Sequence, residues 1–83
     1  MSKKERKKYY RNELFLKQVG LRIRELRAKK GITQKNLAFE CDYADFSQIN
    51  RIELGKVNFS ISYLELIAEK LNVPVTELLK FKE

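Results

Sequence analysis

"TQKNLAFECDYADFSQINRIELGK", residues 33–56, decides how the chain is to be read. Leu37, Ala38 and Cys41 fall on one helical face, and Ile49 and Ile52, three apart, fall on another. Between them Asp42-Tyr43-Ala44 reads as a turn. Thr33 is of the type that caps a helix start, Asp45 with Gln48 three residues on reads as a second start, and Gly55 reads as a stop. The pattern predicts two short helices joined by a tight turn, with polar outer faces. Isolated helices of fewer than about 12 residues are marginal in water, so the rest of the chain must hold these two in place.

Outward on the N-terminal side, Asn12 is placed to cap a helix whose buried stripe is Phe15, Val19, Ile23 and Leu26. Arg22, Arg24, Lys29 and Lys30 lie off that stripe, and Gly31 ends the helix. On the C-terminal side "KVNFS" is a loop. "SYLE", residues 62–65, reads as a capping box with Ser60 as a rival cap, opening a helix with Leu64, Ile67, Ala68 and Leu71 inward. Asn72 ends it, and Pro74 opens a last short helix carrying Leu78 and Leu79. The expectation is an all-α, compact five-helix domain over residues 13–83, preceded by a basic arm at residues 1–12. Its core is expected to gather Val19, Ile23, Leu26, Leu37, Ala38, Cys41, Ile49, Ile52, Leu64, Ile67, Ala68, Leu71 and Leu78. Leu66, Leu79 and Phe81 look surplus to so small a core and are expected to be exposed together as a dimer surface.

Charge and composition narrow the function. The net charge of +7 is unevenly spread: residues 1–30 hold twelve Lys/Arg against three Glu, and residues 31–83 hold six against eight Asp/Glu. A basic segment on a nearly neutral body points to a polyanionic partner, the plain alternative being a solvated tail. One cysteine and no histidine exclude zinc sites and His-based triads, and there is no Gly-rich phosphate loop. No cofactor is expected, and no enzyme. The chain has no apolar run long enough to span a membrane and no signal peptide, so a reducing cytoplasm is the expected setting. Cys41, facing inward, reads as a small core residue.

"RIRELRAKKGITQKNLA", "SQINRIELGK" and "SISYLELIAEKLNVPVTELL", in this order and spacing, resemble the helix-turn-helix family of the lambda-type phage repressors, Cro and the Xre regulators. The likeness runs from about Val19 to Leu79. It implies a five-helix domain that binds operator DNA, usually as a dimer, with helix 45–54 in the major groove of a palindromic site. In this motif the second helix reads bases while the first crosses the backbone. Three features depart from the pattern: "CDYADFS" is one residue longer than the commonest turn, Leu54 stands where a polar or basic residue is usual, and Phe46 stands where a polar base-reader is usual.

Ser47, Asn50 and Arg51 lie opposite Ile49 and Ile52. Arg pairs with guanine O6 and N7 and Asn with adenine N6 and N7, whereas Ser is less selective. For Arg51 the competing readings are a phosphate contact or a fold-back onto Glu53 or Glu40. Phe46 either meets a thymine methyl or packs on Phe39 or Tyr43 to fix the longer turn. Thr33, Gln34 and Lys35 at the start of the second helix, with Lys56 and Asn58 after the third, are expected at phosphates; for Gln34 the resemblance implies this directly. It also implies that Arg27 and Glu53 form a partly buried ion pair joining the first and third helices, which orients more than it stabilises. The expected function is a DNA-binding transcriptional repressor. Its alternatives are an antitoxin with a toxin as protein partner, a controller of a restriction system, or an interaction module of the same fold that does not bind DNA.

Overall fold

In the computed structural model, which describes residues 10–81, every regular element is helical. The four α-helices are α1 (Glu13–Lys29), α2 (Gln34–Glu40), α3 (Ser47–Glu53) and α4 (Ile61–Lys70). A 3-10 helix (Val75–Leu79) follows, and no strand occurs among the described residues. Most of the expected basic arm, residues 1–9, lies outside the described residues.

Three helix starts are capped by a side chain. Asn12 accepts from the Phe15 N–H, Thr33 from that of Asn36 and Ser60 from that of Tyr63. Each cap satisfies one of the N–H groups that a first turn leaves unpaired. All four helices then stop in the same way. A residue with positive φ follows the last turn: Gly31, Asp42, Gly55 and Asn72. Its N–H and that of the next residue fold back onto the helix, as in Gly31 N to Ala28 O at 3.0 Å and Ile32 N to Arg27 O at 3.1 Å. This is the Schellman arrangement. Glycine supplies it twice, and Asp42 and Asn72, of the types that best tolerate the left-handed region, supply it twice more.

Ile23, Leu37, Ile49, Ile52, Ile67, Leu71, Leu78 and Cys41 are the largest fully buried side chains, joined by Val19, Leu26, Ala38 and Ala68 in one core. Burying each large aliphatic contributes roughly 1.5–3 kcal/mol. Twelve of the thirteen expected core residues are thus buried; Leu64 is half-buried at the edge. Gly20 is the contact the periodicity did not mark. A Cβ there would collide with the backbone carbonyls of Ile52 and Glu53, so α1 crosses the end of α3 at backbone distance.

Several expectations need correction. Leu16 rather than Phe15 continues the α1 stripe; Phe15 is displaced to the flank, where it meets Phe81 edge-on at 5.7 Å. Leu66 and Phe81 are not exposed: they pack against the core rim, leaving Leu79 outside. Asp45 does not cap α3 and forms no box with Gln48. Its Oδ1 accepts from Ser47 N at 2.8 Å and Ser47 Oγ at 2.5 Å, two residues on, so the turn closes locally and α3 begins after Phe46 without a side-chain cap. Ser62 lies inside α4 because Ser60 caps it, and the earlier start stacks Tyr63 on Tyr43 at 4.9 Å. Pro74 precedes a 3-10 helix rather than an α-helix, as suits a run of five residues.

Candidate nucleic-acid interface

α3 carries the site because its two faces are chemically opposite. Ile49 and Ile52 are fully buried, and the two residues between them, Asn50 and Arg51, are exposed. Ser47 is half-buried at the first turn, and Leu54 continues the outer face as an exposed apolar residue. Phe46 is 52% exposed where α3 begins. It lines a shallow groove of about 370 Å³ with Lys35, Phe39 and Tyr43, but the ring that stacks on Tyr43 is Tyr63.

Behind this face lies a polar network. Arg27 reaches from α1 and grips Glu53 at both oxygens, Nε to Oε2 at 2.6 Å and Nη2 to Oε1 at 3.0 Å, while its Nη1 donates to the Ile32 carbonyl at 2.9 Å. The Glu53 side chain is only 2% exposed. Such a pair is oriented strongly, since removing either partner would strand a buried charge. Gln34, at the start of α2, donates from Nε2 to Glu53 Oε1 at 2.9 Å and to Asn50 Oδ1 at 3.2 Å. An amide nitrogen has two hydrogens, so both are engaged within the protein. What Gln34 retains toward a phosphate is its backbone N–H. The chain of contacts ties α1, α2 and α3 together through one carboxylate.

The outer groups have individual settings. Arg51, an exposed residue, donates from Nη1 to Gln48 Oε1 at 3.0 Å rather than folding onto Glu53 or Glu40. Ser47's hydroxyl and N–H hold the Asp45 carboxyl below its ordinary range. Thr33 is the α2 cap, and Lys35 is exposed beside it. Lys56 and Asn58, after α3, are exposed and touch the chain's N-terminal side: Arg11 Nη2 donates to the Lys56 carbonyl, and Asn58 Nδ2 to that of Tyr10, both at 3.3 Å. Sequence reasoning missed this junction. Its only signal was Arg11, the last of the basic run before the Asn12 cap.

A second surface is apolar. Tyr10, Phe15, Phe59, Ile61 and Leu79 line a depression of about 340 Å³ on the side of α1 and α4. Ile61 is 81% exposed. Among the described residues no three His, Cys, Asp or Glu side chains gather as metal ligands, and no helix is long and apolar enough to cross a membrane.

Comparison with known proteins agrees with this arrangement. A family model for the helix-turn-helix matches residues 23–78. The restriction-modification controller protein C.AhdI from Aeromonas hydrophila is similar at 36% identity and a TM-score of 0.72, covering 76% of this chain and 94% of that one. The controller C.Esp1396I, solved as a tetramer with its natural 35 base-pair operator, is 32% identical with a TM-score of 0.68, covering 83% of this chain and all of that one. The clp gene regulator ClgR from Corynebacterium glutamicum is 25% identical with a TM-score of 0.75, covering 78% of this chain and 68% of that one. No curated protein sequence matches significantly. With two-thirds of its length matched by the family model and the two-faced α3 braced as described, the chain belongs to the Cro/C1-type helix-turn-helix family.

Proposed function

We propose that the chain is a sequence-specific DNA-binding transcriptional regulator that represses by occupying an operator in the cytoplasm. The observation that carries this reading is α3: short, buried on Ile49 and Ile52, braced through Glu53, and exposing Asn50 and Arg51 on its free side. A helix so presented fits a major groove about 12 Å wide. Phe46, Ser47, Asn50 and Arg51 face base edges in this reading. Thr33, Gln34 (through its backbone), Lys35, Lys56 and Asn58 face phosphates on either side. Residues 13–83 are the DNA-binding domain, and residues 1–12 act as a basic arm. Arg11 and Tyr10, at the described end of that segment, support this role, since they contact the loop of Lys56 and Asn58.

The regulator works as a two-fold dimer on a palindromic operator, and the apolar surface of Phe15, Ile61 and Leu79 supports that assembly. The likeness to C.AhdI and C.Esp1396I favours a second reading within the same class, control of a restriction system. Titration of duplex DNA at several salt concentrations tests the core of the proposal. Affinity that falls steeply with salt is expected; no binding even at low salt would leave the fold as a protein-interaction module.

A further inference from the structure

We infer that Asn50 reads guanine, and that Gln34 is the positioning residue that makes it do so. This rests on the DNA-binding reading above and concerns which base that site selects. An Asn side chain is ambiguous until its oxygen and nitrogen are told apart, and here the network tells them apart. Glu53's carboxylate, gripped at both oxygens by Arg27, only accepts. The Gln34 atom facing it at 2.9 Å is therefore the nitrogen, and the Asn50 atom facing that same nitrogen at 3.2 Å is therefore the oxygen. Asn50 Oδ1 is drawn back toward α2, and Nδ2, with two hydrogens, is the group left for a ligand.

That polarity selects among base edges. Reading adenine uses both ends of the amide, Nδ2 toward N7 and Oδ1 accepting from N6, so the oxygen would have to be shared with Gln34. Guanine presents two acceptors, N7 and O6, and asks only for donors. Arg51, the next residue, is also purely a donor, and its contact with Gln48 Oε1 uses only one of the N–H groups of its fork. Two adjacent positions on the exposed face of α3 thus offer donors. The Ser47 hydroxyl hydrogen is spent on Asp45. The matching half-site carries guanine opposite Asn50.

The test is selection of bound duplexes from a random pool by the full chain and by three variants, each first checked for helical content and a cooperative melt. The base pair whose preference collapses in Asn50→Ala is the one Asn50 reads, and guanine is expected there for the unaltered chain. Gln34→Met, close in shape and without hydrogen bonds, frees the amide to turn and is expected to narrow the guanine-over-adenine ratio at that base pair by about fivefold or more. Asn50→Asp keeps the acceptor for Gln34 but replaces the outward donor, and is expected to move the preference from guanine to cytosine. Because Asn50 is exposed, this arm still decides the guanine assignment if Gln34→Met fails to fold. Adenine at the mapped position, Asn50→Ala leaving every preference intact, an unchanged ratio in a folded Gln34→Met, or no guanine-to-cytosine shift in Asn50→Asp would each overturn the inference while leaving DNA binding standing. Failure of the unaltered chain to bind any duplex would instead overturn the DNA-binding reading and this inference with it.

Discussion

At the scale of single residues, the groups that matter differ in how much of their hydrogen bonding the protein has already used. Arg51 has given up one donor to Gln48 and keeps the rest of its fork. Arg51→Ala is expected to relax preference at one base pair and to weaken the specific complex by about 1–3 kcal/mol. Uniform weakening on all sequences, seen in the same competition assay, would place Arg51 at a phosphate instead. Cys41 is the opposite case, fully buried, with burial pushing its thiol up to about 11. The folded state then holds the proton longer than the unfolded chain, whose thiol titrates near 8.5. Stability is unaffected below that value and falls as pH rises toward about 11, which denaturant melts across that range will show. At neutral pH a thiol reagent is expected to label Cys41 only after denaturant is added.

At the scale of elements, α1 and α3 meet through Gly20, and that crossing sets the angle at which α3 is presented. Gly20→Ala would add helix propensity, worth about 1 kcal/mol at an open position. Against backbone carbonyls that cannot retreat, overpacking prevails, and a net loss of about 1–3 kcal/mol is expected in thermal or urea melts. A gain would show that the helices can separate without penalty. The same contrast explains what the sequence disclosed. Helix interiors and stops were legible because periodicity and left-handed residues are local signals: Val19, Ile23, Ile49 and Ile52 announced themselves, as did Gly31 and Gly55. Starts were less so where two polar residues competed. Ser60 and Ser62 differ by two positions, and the choice between them depends on Tyr63 finding Tyr43, a contact across the fold. Asp45 has the chemistry of a cap but spends it on Ser47. In the site, the pairing of Arg27 with Glu53 was implied by resemblance. The turning of Gln34 toward Asn50 had no linear trace, since α2 and α3 must dock before those amides meet.

At the scale of the whole molecule, the questions are assembly and reach. If Phe15, Ile61 and Leu79 form the two-fold contact, light scattering at micromolar concentration gives a dimer, and Ile61→Asp, at an 81% exposed position, gives a folded monomer. A monomer from the unaltered chain, with and without operator, would remove that assembly. The arm is tested by its counterions. Each phosphate neutralised steepens the dependence of log affinity on log salt by about 0.9, so deleting residues 1–9 is expected to flatten it. An unchanged slope would reduce that segment to a solvated tail. Every α-helix ends in a left-handed residue whose two back-bonds stay within six residues of sequence. The point at which each helix stops is therefore specified by neighbours along the chain, while helices as short as α2 and α3 persist only once the rest of the chain packs on them. Helical topologies of this kind, rich in local contacts, refold in about microseconds to milliseconds.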